Sequence, residues 1–343
     1  MSFTTLFRLS IVFAAVAPLF SQGSAYLANI QQLTAGGQNA EAYWSPDGKR
    51  LIFQSTRDDR SCDQIYVMNA DGSGVRMVST GHGATTCGYF LPDGKRIVYA
   101  STHERSPECP ARPDRSKGYV WAVHAGYDIF VANDDGSELH RLTDAEGYDA
   151  EATVNPQTRT IVYTSKASGD LDLWKMGFDG EGKQRVTASY GYDGGAFLSR
   201  DGSKMVWRAN HPSGDEQRQR YKELLDQDLT APMKMELFVA NADGSEARQI
   251  TDFGCASFAP QFTPDGRHII FSSNRNKCDS REFELFLIDL DGKNLRQVTE
   301  FGGFTSFAEF SPDGKRLAFT SDRNAKGRYE FNIFVADWTE PRE

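Results

Sequence analysis

Residues 310–323 read Phe310-Ser311-Pro312-Asp313-Gly314-Lys315-Arg316-Leu317-Ala318-Phe319-Thr320-Ser321-Asp322-Arg323, a tight turn followed at once by a short β-rich run. Proline presets φ for such a turn, and glycine supplies a positive φ at no steric cost. The turn recurs at Pro46-Asp47-Gly48, Pro92-Asp93-Gly94 and Pro264-Asp265-Gly266, with degenerate copies at Asn155-Pro156-Gln157-Thr158 and Ser199-Arg200-Asp201-Gly202. The spacings are 46, 64, 44, 64 and 48 residues, so there are six copies and two carry insertions.

After each turn an apolar run places an aromatic at its third position: Phe53, Tyr99, Tyr163, Trp207, Phe271 and Phe319. A second set of runs follows, Ile65-Tyr66-Val67, Ile129-Phe130-Val131, Leu173-Trp174-Lys175, Leu237-Phe238-Val239, Leu285-Phe286-Leu287 and Ile333-Phe334-Val335. Asp-Gly pairs such as Asp71-Gly72 and Asp291-Gly292 then fold the chain into a hairpin. Each copy therefore predicts a meander of four antiparallel strands, a to d. One meander cannot bury its apolar faces alone; six packed around an axis can. The expectation is an all-β, six-bladed β-propeller of four-stranded antiparallel blades. The d strands end in a pattern such as Arg296 to Thr299, and the last c strand has none after it. The missing copy is Gln31-Gln32-Leu33-Thr34, so the N-terminal strand should complete the last blade and close the ring, removing two open sheet edges.

Residues 1–25 do not fit the repeat. Arg8, the apolar run Leu9 to Phe20 and the small residues Gly23-Ser24-Ala25 read as a signal peptide. That run is too short to span a bilayer and no second one follows. The expected mature chain is one propeller domain over 26–343, with no membrane span, in the periplasm or outside the cell. The formal charge of −9 disfavours nucleic acid as a partner. Export would let cysteines pair. Cys255 and Cys278 flank one blade and suit a disulfide; Cys62, Cys87 and Cys109 leave two pairings open and one thiol over, and all five map to loops of one face.

The repeats, with Ile65-Tyr66-Val67-Met68-Asn69-Ala70-Asp71-Gly72-Ser73 and residues 310–323 as the strongest copies, resemble the Pro-Asp-Gly propeller repeats of TolB-like proteins. The resemblance runs from about Ile30 to Trp338. It implies the fold rather than an activity. TolB itself carries an α/β domain ahead of its propeller, for which this sequence has no room. The repeat also resembles the propellers of prolyl oligopeptidases, whose catalytic residues sit in a separate hydrolase domain; no Gly-x-Ser-x-Gly elbow occurs here.

Both insertions, about 104–127 and 212–235, connect strands b and c in blades 2 and 4, so they rise on the top face. Within the second, Asp215 to Leu225 predicts a helix capped by Ser213 or Asp215, with Tyr221, Leu224 and Leu225 packing on the propeller. The candidate ligand-binding residues of this face are Arg57, His103, Trp121, Tyr148, Asp149, Glu151, Tyr192, Asp193, His211, Tyr221, Arg275 and Arg323. His103, Asp149, Glu151, Asp193 and His211 also match the donors of a divalent metal site, although their scatter over three blades is unlike a compact ligand motif. The leading expectation is a monomeric binding propeller, with no resident cofactor, for a protein segment or a glycan. The alternatives are a metal-dependent lyase or hydrolase of acidic polysaccharides and a structural scaffold with a filled channel.

Overall fold

A computed structural model describes residues 24–155 and 157–340. The signal-peptide reading falls almost wholly outside these residues, as does the turn residue Pro156. Six four-stranded antiparallel sheets surround a central axis. Blade 1 comprises Asn39–Trp44, Arg50–Ser55, Gln64–Asn69 and Arg76–Met77; blade 2 comprises Thr85–Phe90, Arg96–Ser101, Asp128–Asn133 and His140–Arg141. Blade 3 comprises Asp149–Asn155, Thr160–Ser165, Asp172–Gly177 and Gln184–Arg185; blade 4 comprises Tyr192–Leu198, Lys204–Asn210, Glu236–Asn241 and Arg248–Gln249. Blade 5 comprises Ser257–Phe262, His268–Ser273, Glu284–Asp289 and Arg296–Gln297. Blade 6 takes Thr305–Phe310, Arg316–Ser321 and Asn332–Trp338 from the end of the chain and Leu27–Gln32 from its start, as the repeat pattern predicts.

The threonine of the d-strand pattern has an atomic role. Its hydroxyl accepts the backbone N–H of the second c-strand residue, just past the end of the short d strand. Thr143 accepts from Ile129 at 2.9 Å, Thr187 from Leu173 at 2.9 Å, Thr251 from Leu237 at 2.8 Å and Thr299 from Leu285 at 2.9 Å. Ser79 does the same for Ile65 at 3.0 Å. In blade 6 the acceptor for Ile333 is Thr34, nearly the whole chain away, at 2.9 Å. A side chain thus stands in for one rung of the ladder and satisfies a donor that is costly to bury unpaired.

The b-strand aromatics are buried, and five stack on the aromatic of the adjacent c strand. Phe319 and Phe334 lie 5.6 Å apart, Phe271 and Phe286 5.9 Å, and Trp207 and Phe238 5.6 Å. In the third blade Tyr163 pairs in register with Trp174. Burying one such ring contributes about 1.5–3 kcal/mol.

Every a strand carries the same irregularity. The pairing of strands a and b slips between Ala40 and Tyr43, Thr86 and Tyr89, Ala150 and Thr153, Gly194 and Phe197, Phe258 and Gln261, and Ser306 and Glu309. The extra residue of each bulge is in the left-handed region: Glu41 (φ 52°), Cys87 (53°), Glu151 (57°), Gly195 (59°), Ala259 (50°) and Phe307 (54°). A bulge re-aims its side chain out of the alternating pattern. Here it brings one residue from each blade to the wall of the central channel.

The helix forms over Asp215–Leu225 with Tyr221, Leu224 and Leu225 buried, but its cap differs from expectation. Gly214 is the N-cap, with an extended backbone and no capping side chain, so neither Ser213 nor Asp215 serves. Instead the Gln217 side chain reaches back to the Ser213 N–H at 3.3 Å. Cys255 is bonded to Cys278 and Cys62 to Cys109, leaving Cys87 as a free thiol. Cys87 is not on a top loop: it is the bulge residue of blade 2 and faces the channel.

Phe334→Ala removes a ring stacked against Phe319 and 1% exposed, so it should cost about 3–5 kcal/mol, read as a lower urea midpoint.

Candidate functional site

The two insertions meet over the mouth of the channel. Trp121–Ala122 from blade 2 pairs antiparallel with Leu229–Thr230 from blade 4, with Ala122 opposite Leu229 and Trp121 opposite Thr230. The Val123 N–H extends the pairing to the Asp228 carbonyl at 2.8 Å. Lys166 of blade 3 fixes this roof from below, donating to the Asp228 carboxylate at 2.8 Å and the Leu225 carbonyl at 2.9 Å. The Cys62–Cys109 bridge ties the first insertion to blade 1.

Beneath the roof lies a cavity of about 650 Å³, and a second lobe of about 410 Å³ shares its wall at Glu41, Gln54, Asp63, Tyr119, Phe258, Phe304 and Phe307. Below, Tyr43 packs against Tyr89 at 5.3 Å and Phe197 at 5.7 Å, a three-ring plug across the channel. Under the plug a chamber of about 230 Å³ holds Glu309, which accepts the Tyr89 hydroxyl at 2.9 Å.

The upper cavity has two unlike walls. Blades 5 and 6 present a cluster of phenylalanines, with Phe258 and Phe283 at 4.7 Å and Phe304 and Phe331 at 5.1 Å. Blades 1 to 4 present ionisable groups. The Arg208 guanidinium forms a short ion pair with Glu151 and donates to the Tyr192 hydroxyl at 2.8 Å, while Tyr192 donates to Glu151 at 2.9 Å. Arg208 also lies 5.3 Å from the Trp121 ring and 5.6 Å from that of Tyr192, within cation–π range. A pair of glycines gives this group its room. A Cβ on Gly195 would stand 1.9 Å from Arg208 Nη1, and one on Gly194 would stand 2.2 Å from the Tyr192 hydroxyl.

Among the described residues, Glu41 and Asp63 have no cationic partner in ion-pair contact. Gln54 holds Asp63 through a 3.4 Å contact and accepts the Cys87 N–H at 3.1 Å, fixing the carboxylate and the neighbouring bulge together. Burial pushes Glu41 up to about 7, with the Glu151 and Asp63 charges adding to it and the Cys87 thiol and Arg208 opposing it. Burial raises Asp63 to about 6, and in the lower chamber it raises Glu309 to about 8.

Of the residues expected from sequence, Trp121, Tyr148, Glu151 and Tyr192 converge on the cavity. The five residues beyond the b strands do not. Arg57, His103, His211, Arg275 and Arg323 each pack against the c-strand aromatic of their own blade, at 5.7 Å from Tyr66, 4.5 Å from Phe130, 5.0 Å from Phe238, 5.6 Å from Phe286 and 5.7 Å from Phe334. Their alignment in the sequence reflects a shared packing role. Asp149 opens its a strand and Asp193 is second in its own, and both face the end of strand b. Asp193 accepts Trp207 Nε1 at 2.7 Å and pairs with His211 Nε2 at 3.1 Å. Burial raises Asp149 to about 6, against hydrogen bonds from Ser165 and Thr143. Burial lowers His103; His211 is also pulled down by burial, but the Asp193 bond and charge outweigh this and raise it. Tyr221 lies outside the central cavity and donates to Asp170.

The five candidate metal donors are therefore not one site. Among the described residues, no group of three or more His, Cys, Asp or Glu side chains is placed to hold a metal. Sequence reasoning missed Glu41, Gln54, Asp63, Cys87, Arg208 and the phenylalanine wall. The available signal was Gly194-Gly195, where the other blades place residues with side chains.

Ring closure and six bulged inner strands around a roofed channel define a closed six-bladed β-propeller. The TolB beta propeller domain matches residues 230–334. An uncharacterized protein of Agrobacterium fabrum, Atu1656, is 30% identical over 81 residues, which is 24% of this chain and 28% of that protein's length. Among solved structures, a TolB-type protein from Agrobacterium tumefaciens superposes with a TM-score of 0.60 at 17% identity, covering 91% of this chain and 97% of that one. TolB from Acinetobacter baumannii gives 0.57 at 16% identity, covering 78% and 56%. An oligogalacturonate lyase in complex with manganese gives 0.52 at 15% identity, covering 93% and 95%. These identities establish a common fold and leave the activity to the site. No described helix is long and apolar enough to cross a membrane.

Gly195→Ala should displace Arg208 and strain a backbone at φ 59°, at a cost of about 2 kcal/mol or more in chemical denaturation. Glu41 sets a pH dependence. Burial pushes its carboxyl up to about 7, above the 4.5 of a free glutamate, so the folded state keeps a proton that the unfolded chain has released. Its contribution to stability is therefore lost as pH rises from about 4.5 through 7. Relative to wild type, Glu41→Gln should gain melting temperature at pH 8 and less at pH 5; an offset independent of pH would contradict this assignment.

Proposed function

We propose that this chain is a binding propeller that receives a polypeptide segment in the central cavity, under the roof made by the two insertions. The observation that carries this reading is the cavity itself, which is large, preorganised by the ring and walled by aromatic rings on one side and a few fixed polar groups on the other. Sites of this composition suit a ligand that buries an apolar group and is oriented by a few polar contacts. The phenylalanines form a three-dimensional cluster, which fits an apolar side chain better than a sugar rich in hydroxyl groups. The general interaction role of TolB-like propellers is in keeping with it. The leader-like N-terminus supports action in the periplasm or outside the cell. The acidic-glycan reading has weaker support: such a substrate would bring carboxylates against Glu41, Asp63 and Glu151, and Arg208 is already paired.

Peptides enriched from a displayed random library on the mature protein should bind through this cavity. Phe307→Ala and Trp121→Ala should each weaken the enriched peptides by about tenfold or more in fluorescence anisotropy, as expected of aromatic anchors. His103→Ala, at the outer packing position, should leave the affinity within about twofold. Binding that ignores both aromatic substitutions would refute a cavity site.

A further inference from the structure

The ligand's chemical class can be taken further, on the basis of the cavity reading above. Glu41 and Asp63 both line the lobe that also holds Phe258, Phe283, Phe304 and Phe307. In that lobe carboxylates and aromatic faces share one space, the combination that attracts an organic cation. Among the described residues neither carboxylate has a cation in ion-pair contact: the Cys87 thiol is a side-chain hydrogen-bond partner of Glu41, and the Gln54 amide is one of Asp63. The nearby guanidinium of Arg208 is committed to Glu151.

A second, independent feature lines the adjoining main cavity, which Glu41 and Asp63 also line. Arg208 is 9% exposed, and its Nε has no hydrogen-bond partner. A buried donor left unpaired is costly. It therefore asks for an oxygen acceptor from outside the chain, and a peptide carbonyl supplies one.

We propose that the cavity selects a basic residue within a polypeptide, its ammonium or guanidinium lying between Glu41, Asp63 and the phenylalanine wall, and a neighbouring backbone carbonyl accepting from Arg208. The carboxylates then gain the counter-charge that the fold withholds, and the aromatic wall covers the aliphatic stem of the side chain. A glutamate or aspartate at the same place would meet like charges in a poorly solvated space, which gives discrimination as well as affinity.

The test uses four blocked tripeptides, acetylated and amidated so that charge resides only on side chains: trilysine, triarginine, triglutamate and Ala-Phe-Ala. Binding to the mature protein is measured by calorimetry at pH 8, where Glu41 is ionised. Trilysine or triarginine should bind, and triglutamate should show no heat of binding. Glu41→Gln and Asp63→Asn should each weaken the basic peptide by about tenfold, with melting temperature confirming that both variants are folded. If Ala-Phe-Ala binds while the basic peptides do not, or if both substitutions leave basic-peptide affinity unchanged, the basic-group assignment is overturned and the cavity reading stands. If no peptide binds, both are overturned.

Discussion

Everything in this molecule depends on the ring being shut, and the ring is shut by one short stretch of chain. The strand Leu27–Gln32 lies against Asn332–Trp338, and Thr34 supplies the hydroxyl that every other blade takes from its own d strand. Without that contact the sixth blade would expose the outer edge of its c strand, and blades 6 and 1 would lose their covalent continuity around the axis. The central cavity has walls from all six blades, so its shape is a property of closure and of no single blade. Closure is also non-local in the extreme. The two ends of the chain must meet before the final sheet is complete, and contacts of that kind are expected to slow folding.

The next layer is the roof. A propeller channel is open at both ends by construction, and this one is covered above by two insertions and blocked below by Tyr43, Tyr89 and Phe197. The insertions are too irregular to hold a shape alone. Their two-residue pairing gains from being anchored at three places: Cys62–Cys109 on blade 1, Lys166 on blade 3 and the helix Asp215–Leu225 packed by Tyr221, Leu224 and Leu225. The roof therefore presents Trp121 to the cavity as a fixed element, and that ring in turn lies against the Arg208 guanidinium.

The fold was legible in the sequence because its signals are local and repeated. A Pro-Asp-Gly turn, an aromatic at the third position of an apolar run and an Asp-Gly hairpin are readable one copy at a time, and the register of six copies removes the ambiguity of any one. The closing strand was legible for the same reason, since Gln31-Gln32-Leu33-Thr34 is a repeat fragment out of place. The site was legible only in part. Tyr148, Glu151, Tyr192 and Trp121 stood in or beside loops that the topology assigned to the top. Glu41, Cys87 and Phe307 did not, because what brings them to the channel is a bulge, and a bulge has no residue signature here: the six positions hold Glu, Cys, Glu, Gly, Ala and Phe. Conversely, Arg57, Arg275 and Arg323 form a conspicuous column in the alignment of repeats because they share a packing contact with strand c. Regularity across repeats marked scaffold, and irregularity marked the site.

The bulge has one more consequence. Its residue sits outside the regular alternation of the strand, so its side chain points into the channel and the six positions accept very different side chains on one left-handed backbone. Six such positions line one central cavity. The molecule thus separates its architecture from its chemistry more sharply than a strand ordinarily allows, where each side chain must serve a face. The inner ring works as a hexagonal socket that already carries four kinds of side chain, with a glycine at Gly195 making room for Arg208, and the present set is one setting of it.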